Sequence, residues 1–517
     1  MHRPRTSARA ARRRTAGWQR RVTWLGPALL AAVAACGGGA PLPPETIPAS
    51  PRAEVAPVIA DHMPDRSKLP EPTELRDWAP PEPQTWTLKN GIRVWYLEQG
   101  PTPLVSVMLV GLRGAAADPV EKIGLTELTA DMLDEGAAGR SALEISELLQ
   151  ELATDYSAVA DVDHVLLSMH LMADTFDRSV GLLADMVRRP AFPKAEFKRR
   201  KDHRIAQALA NEAQSSHARA VVTRKVLFGD GYAGELPSGT RRTLPDIGLN
   251  DVKVHYKKLF APDSVELVVV GGIGAEAAKA GLEAAFGDWK GKAKAEHAPV
   301  AQQQPQAGVY LVDFPDAPQS SLAVARRAAG SDTTDYFPAM IYNRQMGGAF
   351  SSRLNLNLRE DKGYTYGARS LFRRWKDVGY FGLFTDVKTE TTRSSVEESF
   401  KELADFCKDR PLTQAERDDA VNGLLLGFPG RFEHVSTVAA RFATLPVLQR
   451  PADWFVRWPE RVRAVTLDEA NRVAARSCDP KSYVVVIAGD RKKVEPELQS
   501  LGLPIIAYDA QGKRLEK

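Results

Sequence analysis

Arg359 and Tyr366 lie seven positions apart, and their side chains could bind one chemical group together. They lie in the stretch GGAFSSRLNLNLREDKGYTYGARS at positions 347–370. A guanidinium and a phenol aimed at one point suit a peptide carbonyl or an oxyanion. The sequence therefore offers a candidate site for holding a peptide bond. The same arginine could instead complement a helix C-terminus and pair with Glu360 or Asp361.

A short helix and a strand are expected to bring this pair together. Ser351 or Ser352 is expected to cap the helix, and Gly363 to end it. The helix would bury one face, formed by residues at a spacing of four: Phe350, Leu354 and Leu358. The strand would point alternate residues to one side: Tyr364, Tyr366, Ala368 and Ser370. This arrangement predicts that Arg359 and Tyr366 converge across the bend.

The N-terminal segment has the pattern of an export signal. Residues 1–35 contain eight arginines, no acidic residue and an apolar stretch at 24–33. A cysteine directly after the cleavage point resembles the lipobox of bacterial lipoproteins, in which Cys36 becomes the lipidated N-terminus. A plain secretory signal is the alternative. We expect a lipid-anchored protein of the bacterial cell envelope that faces the periplasm, with Gly37 suggesting outer-membrane delivery.

Composition, charge and cysteine content restrict the class of protein. The chain has 517 residues, 44% hydrophobic and 26% charged, which predicts a soluble globular body of two large domains. Its 69 basic and 65 acidic residues give a net charge of +4, but without the eight N-terminal arginines the balance is 61 to 65, or −4. Nothing in this balance indicates nucleic-acid binding. The sequence leaves open whether Cys407 and Cys478 pair or stay buried and free.

Two polar stretches divide the chain. Residues 36–83 are rich in Pro, Ala and Glu without apolar periodicity, which predicts a disordered tether. Residues 291–308 contain AKAEHAPVAQQQPQ, which predicts a flexible linker. The two domains are therefore expected at 84–290 and 309–517.

An internal repeat relates these two domains. The segment at 249–271, LNDV…PDSVELVVVG, has an ungapped counterpart at 467–489, LDEA…PKSYVVVIAG. A second, shorter match relates Arg189-Pro190 to Arg410-Pro411. The chain is therefore two copies of one unit. Alternating strands and helices in each copy predict an α+β fold with a helix-covered sheet, and two such copies would most simply enclose a cleft.

With this repeat, three motifs make the chain resemble the pitrilysin/insulinase family of metallopeptidases, which are inverted zincins. More narrowly, it resembles the short bacterial and mitochondrial-processing-peptidase type. The motifs are LKNGIRV at 88–94, a helix start at Gly124-Leu125, and SSRLNLNLREDKGYTYG at 351–367. The resemblance implies two homologous domains, each a mixed, mostly antiparallel sheet covered by helices. It also implies that Arg359 and Tyr366 bind the substrate backbone and steady the tetrahedral intermediate near zinc.

The zinc motif of this family is degenerate in the chain. Active members carry His-x-x-Glu-His on the helix after Gly-Leu; the corresponding residues here are Glu127, Ala130 and Asp131. The third-ligand position, near 206–208, is not acidic, and Glu212 lies about one turn too late. Glu127 and Asp131 could form only a weak carboxylate pair. His164, alone on a strand-like segment, is rejected as a ligand, so no metal is expected in this chain.

Some members of the family are heterodimers that pair a zinc-bearing subunit with one that has lost the motif. The resemblance implies that this chain is such a zinc-less subunit of a metalloendopeptidase, not catalytic alone. Arg359 and Tyr366 would orient unfolded peptide in a shared chamber, with zinc in the partner, and the edge strand around 156–160 would pair with extended peptide. Two alternatives stay open: a non-proteolytic peptide-binding or scaffold lipoprotein, and a divergent active zinc peptidase.

Overall fold

The computed structural model describes residues 77–293 and 305–516. The predicted signal, the lipidation position Cys36, most of the predicted tether and the middle of the predicted linker lie outside these residues. In the described part of the chain, no helix is long and apolar enough to cross a bilayer.

The described residues of the first half form eight strands and seven α-helices. The strands are β1 (Gln84–Thr87), β2 (Arg93–Glu98), β3 (Leu104–Gly111), β4 (Gly136–Ala137), β5 (Arg140–Ser141), β6 (Asp155–Ala160), β7 (Val165–Met172) and β8 (Val265–Gly271). The helices are α1 (Leu125–Asp131), α2 (Ala142–Glu151), α3 (Phe176–Arg188), α4 (Lys194–Glu212), α5 (Ser215–Phe228), α6 (Leu249–Leu259) and α7 (Ala275–Phe286).

In the second half, residues 305–516 form six strands and eight α-helices. The strands are β9 (Gly308–Asp313), β10 (Gln319–Ala329), β11 (Thr365–Arg374), β12 (Val378–Lys388), β13 (Val484–Gly489) and β14 (Ile505–Tyr508). The helices are α8 (Tyr336–Asn343), α9 (Arg353–Asn355), α10 (Thr392–Asp405), α11 (Gln414–Leu426), α12 (Val435–Val447), α13 (Trp458–Ala464), α14 (Leu467–Ser477) and α15 (Arg491–Leu498).

Each half builds one six-stranded mixed sheet, which confirms the predicted α+β fold of two similar domains. The strand order is β1-β2-β8-β3-β7-β6 in the first sheet and β11-β12-β10-β13-β9-β14 in the second. Neighbouring strands are antiparallel except β2/β8, β9/β13 and β9/β14. Five strands repeat one arrangement, because β2-β8-β3-β7-β6 matches β9-β13-β10-β12-β11. The sixth strand of each sheet has no counterpart in the other.

The repeated segments of the sequence form the same elements in both halves. In the first copy, α6 leads through a 3-10 turn at Pro262 into β8. In the second copy, α14 leads through the same turn at Pro480 into β13. Both strands lie inside their sheets and are almost completely buried, which explains their continuous β-branched runs.

Each half also lends one helix to the sheet of the other half. Helix α5 packs on β10 and β13, and α12 packs on β3 and β8. Val222 of α5 joins one core cluster with Ala323, and Phe442 of α12 joins another with Met108 and Val268. The halves are therefore fixed to each other by packing, in contrast to the flexible connection that the linker composition suggested.

The ends of the predicted tether and linker belong to the folded body. The ring of Trp78 lies 5.9 Å from that of Phe428 and 5.7 Å from that of Phe432, measured between centroids. At the linker, the backbone N–H of Ala293 donates to Asp263 at 2.9 Å, and β9 begins at Gly308. Apolar packing and strand pairing thus extend order into segments whose composition resembles that of a free chain.

Cys407 and Cys478 form a disulfide, the pairing that the sequence left open. Their Cα atoms are 6.0 Å apart and 71 positions separate them in the sequence. The bridge joins the turn after α10 to the end of α14. It therefore ties two helices of the second half.

Candidate functional site

The stretch before Arg359 is a short helix that widens into a π-helical turn. Helix α9 continues directly into this turn over Leu356–Asp361, and Gly363 ends it with φ of +63°, as predicted. Ser352 stands at the N-cap, but its hydroxyl makes no capping hydrogen bond. Leu354 and Leu358 are buried, whereas Phe350 is 63% exposed. The prediction that Phe350 shares the buried face was wrong, because the helix begins only at Arg353.

The guanidinium of Arg359 lies on this exposed ring. Its Cζ is 4.6 Å from the ring centroid of Phe350, and its Nε is 3.2 Å from the carboxylate of Glu360. This ion pair with Glu360 was one of the two pairings, with Glu360 or with Asp361, that the sequence offered as an alternative to a substrate-binding role. The side chain is 39% exposed, so it remains accessible to a bound chain.

A β-bulge turns Tyr366 outward. Thr365 pairs with Val387 and Ala368 with Thr385, so β11 holds one more residue than β12 between these two pairs. The hydroxyls of Thr365 and Thr385 each donate to the carbonyl of Gly367 at 3.0 Å, which fixes the bulge. As a result Tyr366 is 89% exposed while Ala368 is buried. The prediction of one continuous face through this strand was therefore wrong at Tyr366.

Arg359 and Tyr366 make no contact with each other, and both are exposed around one bend. The bend is held by Asn355, whose amide nitrogen donates to the Phe350 carbonyl at 2.8 Å and whose amide oxygen accepts from the N–H of Ala368 at 3.0 Å. Sequence reasoning missed Asn355. The one feature of the sequence that could have indicated its role is the position of this amide side chain directly after Leu354, a residue predicted to be buried. The arrangement leaves two hydrogen-bond donors free to reach a substrate carbonyl.

At the degenerate zinc positions, a guanidinium takes the place of a metal. Helix α1 carries Glu127 and Asp131 at i and i+4, and both carboxylates meet Arg204 of α4. Nε and Nη2 of Arg204 lie 2.5 and 2.6 Å from the two oxygens of Asp131, and its Nη1 lies 2.5 Å from Glu127. All three side chains are less than 20% exposed. The pair of free carboxylates that the sequence suggested is therefore a three-residue ion cluster.

The charges of this cluster shift one another's pKa values. Burial raises the pKa of Glu127; the charge of Arg204 opposes this, and that of Asp131 adds to it. Burial by itself would lower the pKa of Arg204, but hydrogen bonding to Asp131 and the charges of both acids raise it well above its usual range. The arginine therefore stays protonated and acts as a permanent cation.

A second ion cluster extends the contact between α1 and α4. Arg199 donates to Glu135 at 2.5 Å, and Arg200 donates to the other oxygen of the same carboxylate. Glu135 is only 2% exposed. Burial raises the pKa of neighbouring Asp134 to about 6, against the opposing charge of Arg200. Arginines of α4 therefore form ion pairs with acidic residues of α1 and of the segment that follows it.

Zinc does not fit this set of residues. Ala130, between the two acids, has no donor atom, and no imidazole replaces the missing ligands. Glu212, at the end of α4, pairs with Arg241 at 2.9 Å. Within residues 77–293 and 305–516, no group of three potential ligand side chains is placed to hold a metal ion. Arg204 lies on the helix that was expected to supply the third ligand, one turn before position 208.

The other two positions singled out in the sequence lie at the edge of the first sheet. Strand β6 is the edge strand, as expected, and Val159 on it is 55% exposed. His164 follows in the turn to β7 and lines a cavity of about 470 Å³ together with Asp163, Met340 and Phe372. Burial lowers the pKa of His164. No hydrogen bond joins its ring to any residue that the structure describes.

The comparisons with known proteins identify the two halves separately. The family model "Insulinase (Peptidase family M16)" matches residues 93–238, and "Peptidase M16 inactive domain" matches residues 246–424. "Non-peptidase homolog YmxG" of Helicobacter pylori is 21% identical over 406 residues, which cover 78% of this chain and 93% of the relative. "Uncharacterized zinc protease YmxG" of Bacillus subtilis is 23% identical over 303 residues, 58% and 72% of the two chains.

Solved structures show the same fold. The peptidase M16 inactive domain from Pseudomonas fluorescens superposes with a TM-score of 0.72 at 24% identity, covering 79% of this chain and 97% of that one. A chain of Complex III2 from Candida albicans superposes with a TM-score of 0.67 at 15% identity, covering 80% and 97%. With the ion cluster at the zinc positions, these matches confirm the resemblance: the chain belongs to peptidase family M16, the insulinase family, and zinc is not expected in it.

Proposed function

We propose that this chain is the zinc-less partner subunit of a heterodimeric M16 metalloendopeptidase. A zinc-bearing homologue would supply the hydrolytic centre, and this chain would orient unfolded peptide in a chamber that both subunits line. One observation carries the proposal. Arg204 occupies the degenerate zinc positions as a permanent cation, while Arg359 and Tyr366, the residues that serve the substrate in the family, stay exposed.

The two exposed donors suit a role in trans. The phenol of Tyr366 is 89% exposed, and the guanidinium of Arg359 lies on the exposed ring of Phe350. Neither side chain contributes to the buried core. In the proposed complex they would donate to the carbonyl of the scissile bond and to the oxyanion that forms there. The unpaired outer side of β6 would hold the extended peptide by strand addition.

The proposed location is the bacterial cell envelope, with Cys36 lipidated and the body facing the periplasm. The Cys407–Cys478 disulfide supports an oxidising compartment of this kind, since disulfides persist outside the reducing cytosol. A lipid anchor followed by a Pro-rich tether would allow the body to reach a partner on the same membrane.

Co-purification from native membranes tests this proposal. The full chain, expressed with its own leader and a C-terminal affinity tag, is expected to bring down a homologue that carries His-x-x-Glu-His. Zinc measured by mass spectrometry should follow that homologue, and cleavage of an unfolded peptide should require both chains. Stoichiometric zinc in the isolated chain with chelator-sensitive cleavage would instead show a divergent active peptidase.

A scaffold role is the second candidate, favoured by the likeness to a chain of Complex III2. In that case the chain would hold peptides or other subunits of an envelope assembly without proteolysis. The same purification separates the two candidates. Recovery of a multi-subunit assembly with no zinc-motif homologue would favour the scaffold.

A further inference from the structure

A pocket beside the Tyr366 bulge is lined by two arginines that form no direct ion pair with any residue that the structure describes. It has a volume of about 290 Å³ and lies between the exchanged helix α5 and the β11–β12 edge of the second sheet. Arg219 comes from α5, whereas Arg369, Phe384 and Asp386 come from the second half, and Gly367 of the bulge closes one side. The pocket exists only because α5 crosses onto the sheet of the other half.

Arg219 is a partly buried cation that is linked to the carboxylate of Asp386 through the hydroxyl of Ser321. Its Nε donates to the hydroxyl of Ser321 at 2.9 Å, and its guanidinium lies 5.2 Å from the ring centroid of Phe384. No carboxylate among the described residues comes within 4.0 Å of it. Burial lowers the pKa of Arg219; the charge of Asp386 raises it in part, and that of Arg369 lowers it further. Arg219 thus lacks the direct contact with a carboxylate that buried arginines normally make.

Arg369 brings a second positive charge to the same pocket. It lies directly opposite Phe384 in the register of β11 and β12, so the two side chains leave the sheet on the same face. Arg369 is exposed and forms no ion pair within the described part of the chain. The pocket is therefore lined by two guanidinium-bearing residues, one from the helix and one from the strand.

The pocket carries a net charge of about +1. Asp386 supplies its one carboxylate, and one oxygen of that carboxylate already accepts a hydrogen bond from Ser321 at 2.5 Å. A single added negative charge would bring the pocket to neutrality, whereas a dianion such as phosphate would leave it with a net charge of about −1. The planar fork of a guanidinium also matches the geometry of a carboxylate.

We propose that this pocket binds a carboxylate of the peptide substrate, a proposal that rests on the peptide-orienting role given above. Gly367 lines the pocket and follows Tyr366 directly in the chain. The carboxylate would therefore sit within one or two residues of the carbonyl that Tyr366 holds. It is either an acidic side chain or the C-terminal carboxylate of the peptide, and both present the same chemistry to Arg219 and Arg369.

A small carboxylate tests the pocket without any peptide. Sodium acetate, compared with sodium chloride at equal ionic strength, is expected to raise the melting temperature of the mature chain by about 1 to 3 °C. Arg369→Gln should abolish the difference, and because this residue is exposed the variant should fold normally. Arg178→Gln, which removes an exposed arginine of the first half, should keep it. An equal acetate effect in the native chain and in Arg369→Gln would overturn the proposal.

Labelled peptides then distinguish the two sources of the carboxylate. Fluorescence anisotropy compares a peptide that has one internal Glu with its Gln twin, each made with a C-terminal acid or amide. We expect one of the two carboxylates to strengthen binding at least about fivefold, as charged hydrogen bonds do. This preference should be lost in Arg369→Gln and in Arg219→Gln and kept in Arg178→Gln.

The two measurements separate this proposal from the proposed function. Equal binding of all four peptides would overturn the carboxylate pocket while leaving a peptide-orienting role intact. Failure of every peptide to bind would contradict that role, whereas an acetate effect that depends on Arg369 would still support a carboxylate site.

Discussion

Arg204 and Asp131 form a two-point ion pair in which both carboxylate oxygens accept from one guanidinium, at 2.5 and 2.6 Å. The two residues are 73 positions apart in the sequence and lie on α4 and α1. Active members of the family carry zinc ligands on these helices. Here a permanent side-chain cation holds the helices together, so the contact needs no metal and cannot be removed by a chelator.

Replacing Arg204 with alanine is expected to destabilise the chain by about 3 kcal/mol, because it leaves two mostly buried carboxylates facing each other without a counter-charge. Urea unfolding followed by circular dichroism measures the loss. Asp131→Asn, added to Arg204→Ala, should recover part of it by removing one of the two uncompensated charges.

Arg178→Ala is the matched control for this change. Arg178 pairs with Glu151 at 2.6 Å, but both side chains are about 60% exposed. Surface pairs of this kind contribute less than about 1 kcal/mol. Equal losses in the two alanine variants would contradict the stabilising role given to Arg204.

Asp163 is expected to make the stability of the chain fall as the pH rises from about 4 to about 6. Burial raises its pKa from 3.8 to about 6, against the backbone N–H of Lys376, which donates to it at 2.7 Å. The native state therefore binds this proton more tightly than the unfolded chain, and losing it costs stability. Asp163→Asn keeps the acceptor and removes the charge, so it should gain on the order of 1–2 kcal/mol at pH 7.5.

Urea midpoints of the native chain and Asp163→Asn, measured at pH 4 and pH 7.5, test this expectation. The two proteins should differ at pH 7.5 and nearly converge at pH 4, where Asp163 keeps its proton in the native state. Asp174→Asn, at an exposed position, should show no comparable pH-dependent difference. A constant gap between native chain and Asp163→Asn at both pH values would show that burial of the charge is not its cause.

Loss of the Cys407–Cys478 disulfide is expected to lower stability by about 2–4 kcal/mol, because the bridge restricts the unfolded chain over a loop of about 70 residues. The melting temperature should fall on adding a reductant. The double variant Cys407→Ser with Cys478→Ser should melt at the lower temperature with or without the reductant. A reductant effect that persists in the double variant would rule out this bridge as its origin.

Tyr366→Phe and Arg359→Ala are each expected to lower turnover of the proposed pair, once reconstituted, by about tenfold or more, since each would remove a proposed donor to the transition-state oxyanion. Tyr366 is 89% exposed, so its substitution should leave the unfolding free energy and the complex unchanged. Turnover and size-exclusion profiles are measured together. Tyr364→Phe, a partly buried tyrosine of the same segment, serves as the control and should retain activity.

Local patterns predicted the elements well where burial followed the period of the sequence. The ungapped repeat correctly related α6 and β8 to α14 and β13. Gly363 was correctly placed at a helix end, because its positive φ suits a residue without a side chain. Leu354 and Leu358 were correctly placed in the core. These features depend on residues close together in the chain.

The same approach failed where one extra residue changed the geometry. The bulge between Thr365 and Ala368 shifted Tyr366 to the exposed side, and no residue of β11 by itself signals that shift. The π-helical turn and the late start of α9 placed Phe350 outside the core, where Arg359 covers it. Strand pairing and helix winding are set by neighbouring elements, so a pattern within one segment cannot reveal them.

Residue types at fixed spacing were enough to predict the two-copy α+β architecture and the absence of zinc ligands at Glu127, Ala130 and Asp131. Only the tertiary structure decided what replaced the metal. Arg204 reaches Asp131, and Arg219 reaches the second sheet, because helices distant in the chain pack side by side. Such contacts depend on how helices and sheets pack in space, so they cannot be predicted from the spacing of residues along the chain.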